Sequence, residues 1–239
     1  MRTPAATAAL ICLLPLSSAA AQAGGITEVR ATYSARAELP GGGSQDLGTR
    51  QVTVTGTTVD GAPAWLVVNA MKIEGESAVD SVLMGAADLR PISRRAVFGQ
   101  AKLTIDVQGS VLAGSLKSPG GTGDISIPMA ERAFLNYYAL HTAARTWPLA
   151  LGWRGTARVL ELNGRSELTP VELVVEGDER VRVAAGEFDC WRVHVTGSGG
   201  IDERWWVSKA GGRVVRTREP IGGQGAILQL DLVAMDPAP

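Results

Sequence analysis

A period-two alternation of apolar and polar residues, broken at short intervals by glycine, restricts this chain to folds built from antiparallel strands. It is clearest from Ile26 to Leu39. Val29, Ala31, Tyr33, Ala35, Ala37 and Leu39 fall on one face, and Glu28, Arg30, Thr32, Ser34, Arg36 and Glu38 on the other. Such a run places one side against a core and the other in water. The same logic marks strands at Thr49 to Val59, Ala64 to Glu74, Ser77 to Met84, Ile92 to Phe98, Ala101 to Gln108 and Val111 to Lys117. Ser118 to Gly123 reads as a flexible loop. Strands resume at Trp153 to Leu162, Leu168 to Gly177 and Glu179 to Ala184. They continue at Cys190 to Thr196, Glu203 to Ser208, Arg213 to Glu219 (closed by Pro220) and Gln224 to Ala234. The adjacent Trp205 and Trp206 must point to opposite faces. One belongs to the core, and the other lies in a second apolar layer or faces a partner.

One segment reads as helical, Met129 to Ala144. Ala130, Phe134, Tyr137, Tyr138 and His141 recur on one face at helical spacing, and Trp147-Pro148 ends the segment. The expected fold is therefore mainly β: a strongly curved antiparallel sheet or incomplete β-barrel with one short α-helix packed on or in it. No long linker or charge run divides the two β-rich halves, so residues 24–239 are expected to form one domain. Among 239 residues, 29 glycines suit a turn-rich β protein, and 45% hydrophobic residues suffice for a core.

Residues 1–23 read as a secretory signal peptide: Arg2, an apolar stretch from Ala5 to Leu16, and an Ala21-Gln22-Ala23 cleavage site. Cys12 sits within the apolar stretch behind bulky Ile11, which disfavours lipidation. Soluble export to the periplasm or beyond is the expectation, with no transmembrane segment in the mature chain. Cleavage leaves Cys190 as the lone cysteine, so no internal disulfide forms. A net charge of −1 gives no basis for nucleic-acid binding.

Chemistry-bearing groups are sparse. Cys190 and His194 lie roughly 13 Å apart along one strand, too far to share a metal ion. Glu187 and Asp189 share strand parity beside a glycine turn, where solvation or backbone bonding is the ordinary role. Arg90, Arg94, Arg95, Arg213, Arg216 and Arg218 are candidates for an anion site. Their bland alternative is a solvated face paired with acids. No catalytic residue, metal ligand or cofactor is assigned.

The stretch Ala185-Gly186-Glu187-Phe188-Asp189-Cys190-Trp191-Arg192-Val193, with Trp206-Val207-Ser208 and Val214-Val215-Arg216, resembles a family of exported bacterial proteins. It is the family known as domain of unknown function 3108. Leu89-Arg90-Pro91-Ile92-Ser93 and Trp147-Pro148-Leu149 with Gly152 fit its layout. The resemblance implies a curved sheet or incomplete barrel in the cell envelope and carries no catalytic residues. A looser architectural likeness joins the chain to envelope lipoprotein carriers, which fold a curved sheet around a helix and hold acyl chains.

The leading functional expectation is non-enzymatic binding of a lipid or other apolar or amphipathic molecule between sheet and helix. Phe134, Tyr137, Tyr138, Trp147, Trp205 and Trp206 are the ligand-contacting candidates, with ordinary packing as their alternative duty. A second expectation is a structural or protein-interaction module that meets an envelope partner through strand edges or an outward tryptophan. A third is a hydrolase working through converging carboxylates.

Overall fold

The structure, a computed structural model, describes residues 25–73, 76–162, 166–221 and 225–236. The expected signal peptide lies outside them, as do the expected strand ends at Glu74 and Gln224.

Among the described residues, fifteen strands form one sheet. In chain order they are β1 (Val29–Glu38), β2 (Ser44–Val59), β3 (Ala62–Ile73), β4 (Glu76–Gly85), β5 (Pro91–Phe98), β6 (Ala101–Gln108), β7 (Val111–Ser118), β8 (Gly121–Pro128) and β9 (Ala133–Phe134). After the helix α1 (Tyr137–Ala143) come β10 (Arg154–Glu161), β11 (Glu167–Val183), β12 (Gly186–Gly197), β13 (Asp202–Ser208), β14 (Val214–Ile221) and β15 (Ala226–Asp236). The lateral order runs β8 back to β1, then β15 back to β9, so β8 and β9 are the edges and the sheet does not close. First and last strands pair, with Tyr33 opposite Leu232 and Ala35 opposite Leu230. Every pairing is antiparallel except the two-residue contact of β9 with β10.

Curvature follows from the twist of a wide sheet, sharpened by bulges that shift register between Ala35 and Arg36 and between Val175 and Gly177. The main core fills the concave side. It draws Val67, Val82, Leu103, Ile105 and Leu112 from the first half of the chain and Val159, Leu173, Val195, Trp205 and Val207 from the second. These pack with Leu135 and Leu140 beside and on the helix. A second apolar layer gathers Val181, Cys190, Trp206, Val215 and Leu232. The tip of the β11–β12 hairpin ties onto β15, where the Ala185 N–H donates to the Leu232 carbonyl at 3.3 Å. Trp206 thus takes the second-layer position, and neither tryptophan of the pair is outward-facing.

Three local expectations need correction. The helix occupies 137–143, followed by a single 3₁₀ turn at 144–146, instead of the whole of 129–144. Arg132 adopts φ 51°, which breaks helical continuity, and Ala133 and Phe134 pair with Arg158 and Val159. Asn136 then restarts the chain as an N-cap, accepting from the Ala139 N–H at 2.8 Å. Gly121 to Pro128, expected to be partly loop, is a strand whose Ile125 and Ile127 reach the core. Pro220 does not end β14. Pairing with β13 stops at Arg218, so the missing proline N–H leaves no partner unsatisfied on that side.

Candidate functional site

The helix lies inside the curved sheet and is held by a buried polar junction. Asp80 of β4 accepts from Arg94 Nε at 3.0 Å and Nη2 at 2.8 Å, and from Asn136 Nδ2 at 3.0 Å. Arg94 Nη1 donates to the Leu135 carbonyl. Cross-strand register makes this possible. Asp80 shares the inward face with Val82 and Met84, and Arg94 stands opposite Val82. The junction fixes the helix start, and Leu140, Ala139 and Ala143 seal against the surrounding strands.

Held this way, the helix leaves separate spaces at the two rims of the sheet. The first rim carries the turns at 60–61, 86–88 and 109–110 and the connection 147–153; the second carries those at 99–100 and 119–120. At the first rim lies a cavity of about 1250 Å³. Its apolar wall includes Trp65, Leu89, Met129, Phe134, Trp147 and Trp153. Trp147 and Trp153 stack with ring centroids 5.5 Å apart and planes at 22°. Toward the second rim is a polar cavity of about 250 Å³ lined by Asn69, Glu161, Glu219, Tyr137, Tyr138 and His141, among others. A third, of about 60 Å³, lies between the helix and β1, β2, β14 and β15.

The six candidate ligand contacts are therefore distributed. Phe134 and Trp147 line the large cavity, and Tyr137 and Tyr138 line the polar one. Trp205 and Trp206 line none of these three spaces. Trp205 is fully buried, donates to Glu203 Oε2 at 2.8 Å and meets His141 edge-on at 4.3 Å between centroids. Trp206 donates to Glu179 Oε2 at 3.0 Å.

The polar cavity, together with Glu203 buried behind its lining, forms an unusual electrostatic set. Burial and the neighbouring Glu219 raise Glu203 well above the ordinary carboxyl range. Burial raises Glu219 and Glu161 too, against the opposing pull of Arg50 on Glu219. Burial pushes His141 down to about 3, so its imidazole is neutral at physiological pH. Burial raises the Tyr137 phenol, helped by Glu203 and Glu161. Sequence reasoning missed Arg50, Glu161, Glu203 and Glu219. A signal existed for two of them: Arg50 is in phase with Val52 and Val54, and Glu203 with Trp205 and Val207, so each places a charge on a core-facing side.

The other chemistry-bearing residues resolve into local partnerships. Cys190 is buried, and burial pushes its thiol up to about 12. Glu187 pairs with Arg182 and Asp189 with Arg180 at the surface. His194 lies between Glu176 and Asp202, at 2.9 and 2.7 Å. Of the six arginines considered for an anion site, Arg94, Arg95, Arg216 and Arg218 pair with Asp80, Asp106, Asp231 and Glu38. Arg90 lies on the first rim, and Arg213 lines the smallest cavity. No helix among the described residues is long and apolar enough to cross a membrane.

Comparison with solved structures places this architecture among known ones. The chain is similar to a β-barrel-like protein of domain of unknown function DUF1849 from Brucella abortus. The identity is 11%, 90% of this chain and 99% of that one are covered, and the TM-score is 0.55. At that identity the likeness is one of fold. It is also similar to the hypothetical lipoprotein YmcC from Escherichia coli, with 14% identity, 93% and 91% coverage and a TM-score of 0.34. A LolA superfamily protein from Nitrosomonas europaea follows, with 10% identity, 90% and 87% coverage and a TM-score of 0.25. No curated protein matches the sequence. Residues 30–229 match the family model described as "Protein of unknown function (DUF3108)", and the chain belongs to that family.

Proposed function

We propose that this chain is an exported envelope protein that binds an apolar or amphipathic ligand, such as a lipid, without catalysing its conversion. The observation that carries the reading is the cavity of about 1250 Å³ at the first rim, walled by Trp65, Phe134, Trp147 and Trp153. Its size exceeds the roughly 300–1,000 Å³ of ordinary small-molecule pockets. Each methylene moved from water into such a space contributes about 0.8 kcal/mol. Binding then requires a chain long enough to offset the loss of its own freedom.

The test is extraction of the protein purified from exported fractions, followed by mass spectrometry, with a titration of dodecanol against tryptophan emission. A co-purified lipid-like molecule, and an emission change that Trp147→Ala diminishes, support the reading. A protein that extracts clean and ignores dodecanol overturns it.

A hydrolytic reading keeps one specific observation: Glu161 and Glu219 line the same polar cavity and both are held above the ordinary carboxyl range. Carboxyl groups raised by burial in a cavity share that property with the general acids of hydrolytic enzymes. Turnover of p-nitrophenyl esters or glycosides that Glu161→Gln and Glu219→Gln both abolish would favour it. The partner-docking reading loses its outward tryptophan, because Trp205 and Trp206 are 0% and 6% exposed.

A further inference from the structure

The smallest of the three cavities contains an electrostatic problem that the described residues do not solve. Arg50, Arg145 and Arg213 converge on its wall, and no carboxylate lines it. Arg50 and Arg145 are each only 7% exposed. None of the three forms an ion pair among the described residues, and the Nε of each is buried without a hydrogen-bond partner.

Their remaining contacts are neutral. Arg145 donates to the Thr27 carbonyl at 3.0 Å and to Thr27 Oγ1 at 2.6 Å, and Arg213 reaches the same Oγ1 at 3.3 Å. Arg213 Nη1 lies 2.7 Å from Met235 Sδ, and Arg50 Nη2 lies 2.9 Å from Met71 Sδ. Thioethers are weak acceptors. Tyr33, directly opposite Arg50 in the β1–β2 register, gives its hydroxyl proton to the Val214 carbonyl at 2.9 Å; its phenol oxygen is uncharged and brings no anion to the guanidiniums.

Repulsion within the group is visible. Burial, then Arg213, pulls Arg145 down to about 10, which still leaves it charged at neutral pH. Arg50 also reaches the polar cavity, where Glu219 is its acidic neighbour, but no carboxylate among the described residues plays that part for Arg145 and Arg213. Buried guanidiniums lose more hydration than neutral contacts return, and arginine cannot escape by deprotonation.

The fold nonetheless builds this cluster deliberately. Gly212, at φ 64°, brings the β13–β14 turn against the 3₁₀ turn that carries Arg145. A Cβ there would lie 2.7 Å from Arg145 Cα. A conformation that favours glycine and a contact only glycine allows coincide at the point that sets Arg145 beside Arg213.

We infer that Arg50, Arg145 and Arg213 form a binding site for an oxyanion, a carboxylate or phosphate group. Planar forks of N–H donors match such groups in geometry and charge. A cavity of about 60 Å³ has room for such a group and little more. Val29, Val52, Val54, Leu230 and Leu232 complete the wall with apolar surface, which strengthens each charged hydrogen bond by excluding water. The site differs from the proposed ligand cavity, although Ile26 and Thr146 of that cavity adjoin Thr27 and Arg145 in sequence. The oxyanion has two sources, a free ion such as phosphate or the head of an amphipathic molecule.

Calorimetric and thermal-shift titrations with inorganic phosphate, dodecanoate and uncharged dodecanol, on the full exported chain, separate these cases. Phosphate binding that raises the melting temperature, weakened on the order of tenfold or more by Arg213→Gln and by Arg145→Gln, supports a free-ion site. Arginine-dependent binding of dodecanoate without phosphate binding supports the head-group source. Dodecanol reports on the large cavity alone, so its failure bears on the proposed function and not on this site. Arg213 is the most accessible of the three, and Arg213→Gln carries the test if Arg145→Gln does not fold. Absence of binding by both anions, or binding that Arg213→Gln leaves unchanged, overturns the inference.

Discussion

Arg94→Met should cost this protein far more than an average substitution, and a second change should return most of the loss. Asp80 and Arg94 have side chains only 4% and 8% exposed, and they share a two-pronged contact, the nearer at 2.8 Å. Removing the guanidinium leaves a carboxylate in the core with Asn136 Nδ2, at 3.0 Å, as its remaining side-chain donor. Breaking a buried pair in this way costs about 3–5 kcal/mol, because the surviving charge keeps its desolvation penalty and loses its compensation. For a chain of this size that corresponds to a drop in melting temperature of roughly 6–20 °C. The double variant Asp80→Leu/Arg94→Met removes both charges and should lie within about 2 kcal/mol of the parent. Its residual deficit comes from the Leu135 carbonyl and Asn136 amide that lose partners. Urea denaturation of parent, both single variants and the double gives the coupling directly. Hydrogen exchange adds a local readout. Asn136 both joins this junction and caps the helix, so the Ala139 amide should exchange faster in Arg94→Met. A single-variant loss below about 1 kcal/mol, or a double variant no better than the sum of the singles, would refute the reasoning that this junction is a compensated buried charge.

Three further outcomes follow from particular residues. Burial and Glu219 raise Glu203 above its unfolded value, so its contribution is fully present below the unfolded carboxyl range and is lost as pH rises through the folded one. Urea midpoints should therefore fall from about pH 7 to pH 9, a window in which His141 is neutral whether folded or unfolded. Glu203→Gln should flatten that fall, and parallel profiles would count against the assignment. Cys190, buried with its thiol raised to about 12, should resist iodoacetamide at pH 8 in the native protein and alkylate fully in urea, as read by intact mass. Gly114→Ala would place a Cβ 1.9 Å from the Thr104 carbonyl oxygen and should cost about 1–3 kcal/mol, whereas Gly123→Ala, with nothing within 4 Å, should cost little; equal midpoints for the two would sink this account.

Most of the sheet was legible because strand identity is a local property when one face is buried. The run from Val29 to Leu39 states its own inward face, and β1 fulfils it as far as Ala37: Val29, Ala31, Ala35 and Ala37 are buried and Tyr33 is half-buried, but Leu39 lies past the strand end and is 44% exposed. The segments that misread are those where a non-local contact overrides the local pattern. Phe134 fits helical spacing with Tyr137 and Tyr138, yet a short parallel pairing with Val159 captures it. Asp124-Ile125-Ser126-Ile127 alternates, but the glycines before it resemble a loop until β7 supplies a partner. Sequence separation explains the difference: alternation lies within one strand, whereas the edge pairings depend on where distant strands stop.

The interior sites follow the opposite rule. Arg50, Glu203 and Asp80 are legible as anomalies, charges in phase with Val52, Trp205 and Val82 on core-facing sides. What phase cannot supply is partnership. Asp80 is neutralised by Arg94 in the neighbouring strand, Glu203 by a shift toward its protonated form, and Arg50 only partly, by Glu219 across the polar cavity. Arg145 gives no strand-phase signal, since it sits in a 3₁₀ turn that meets the β13–β14 turn through the Gly212 contact. The same sheet thus treats three core-facing charges in three ways. The one left with its cationic neighbours uncompensated marks where the fold is prepared for an anion that none of the described residues supplies.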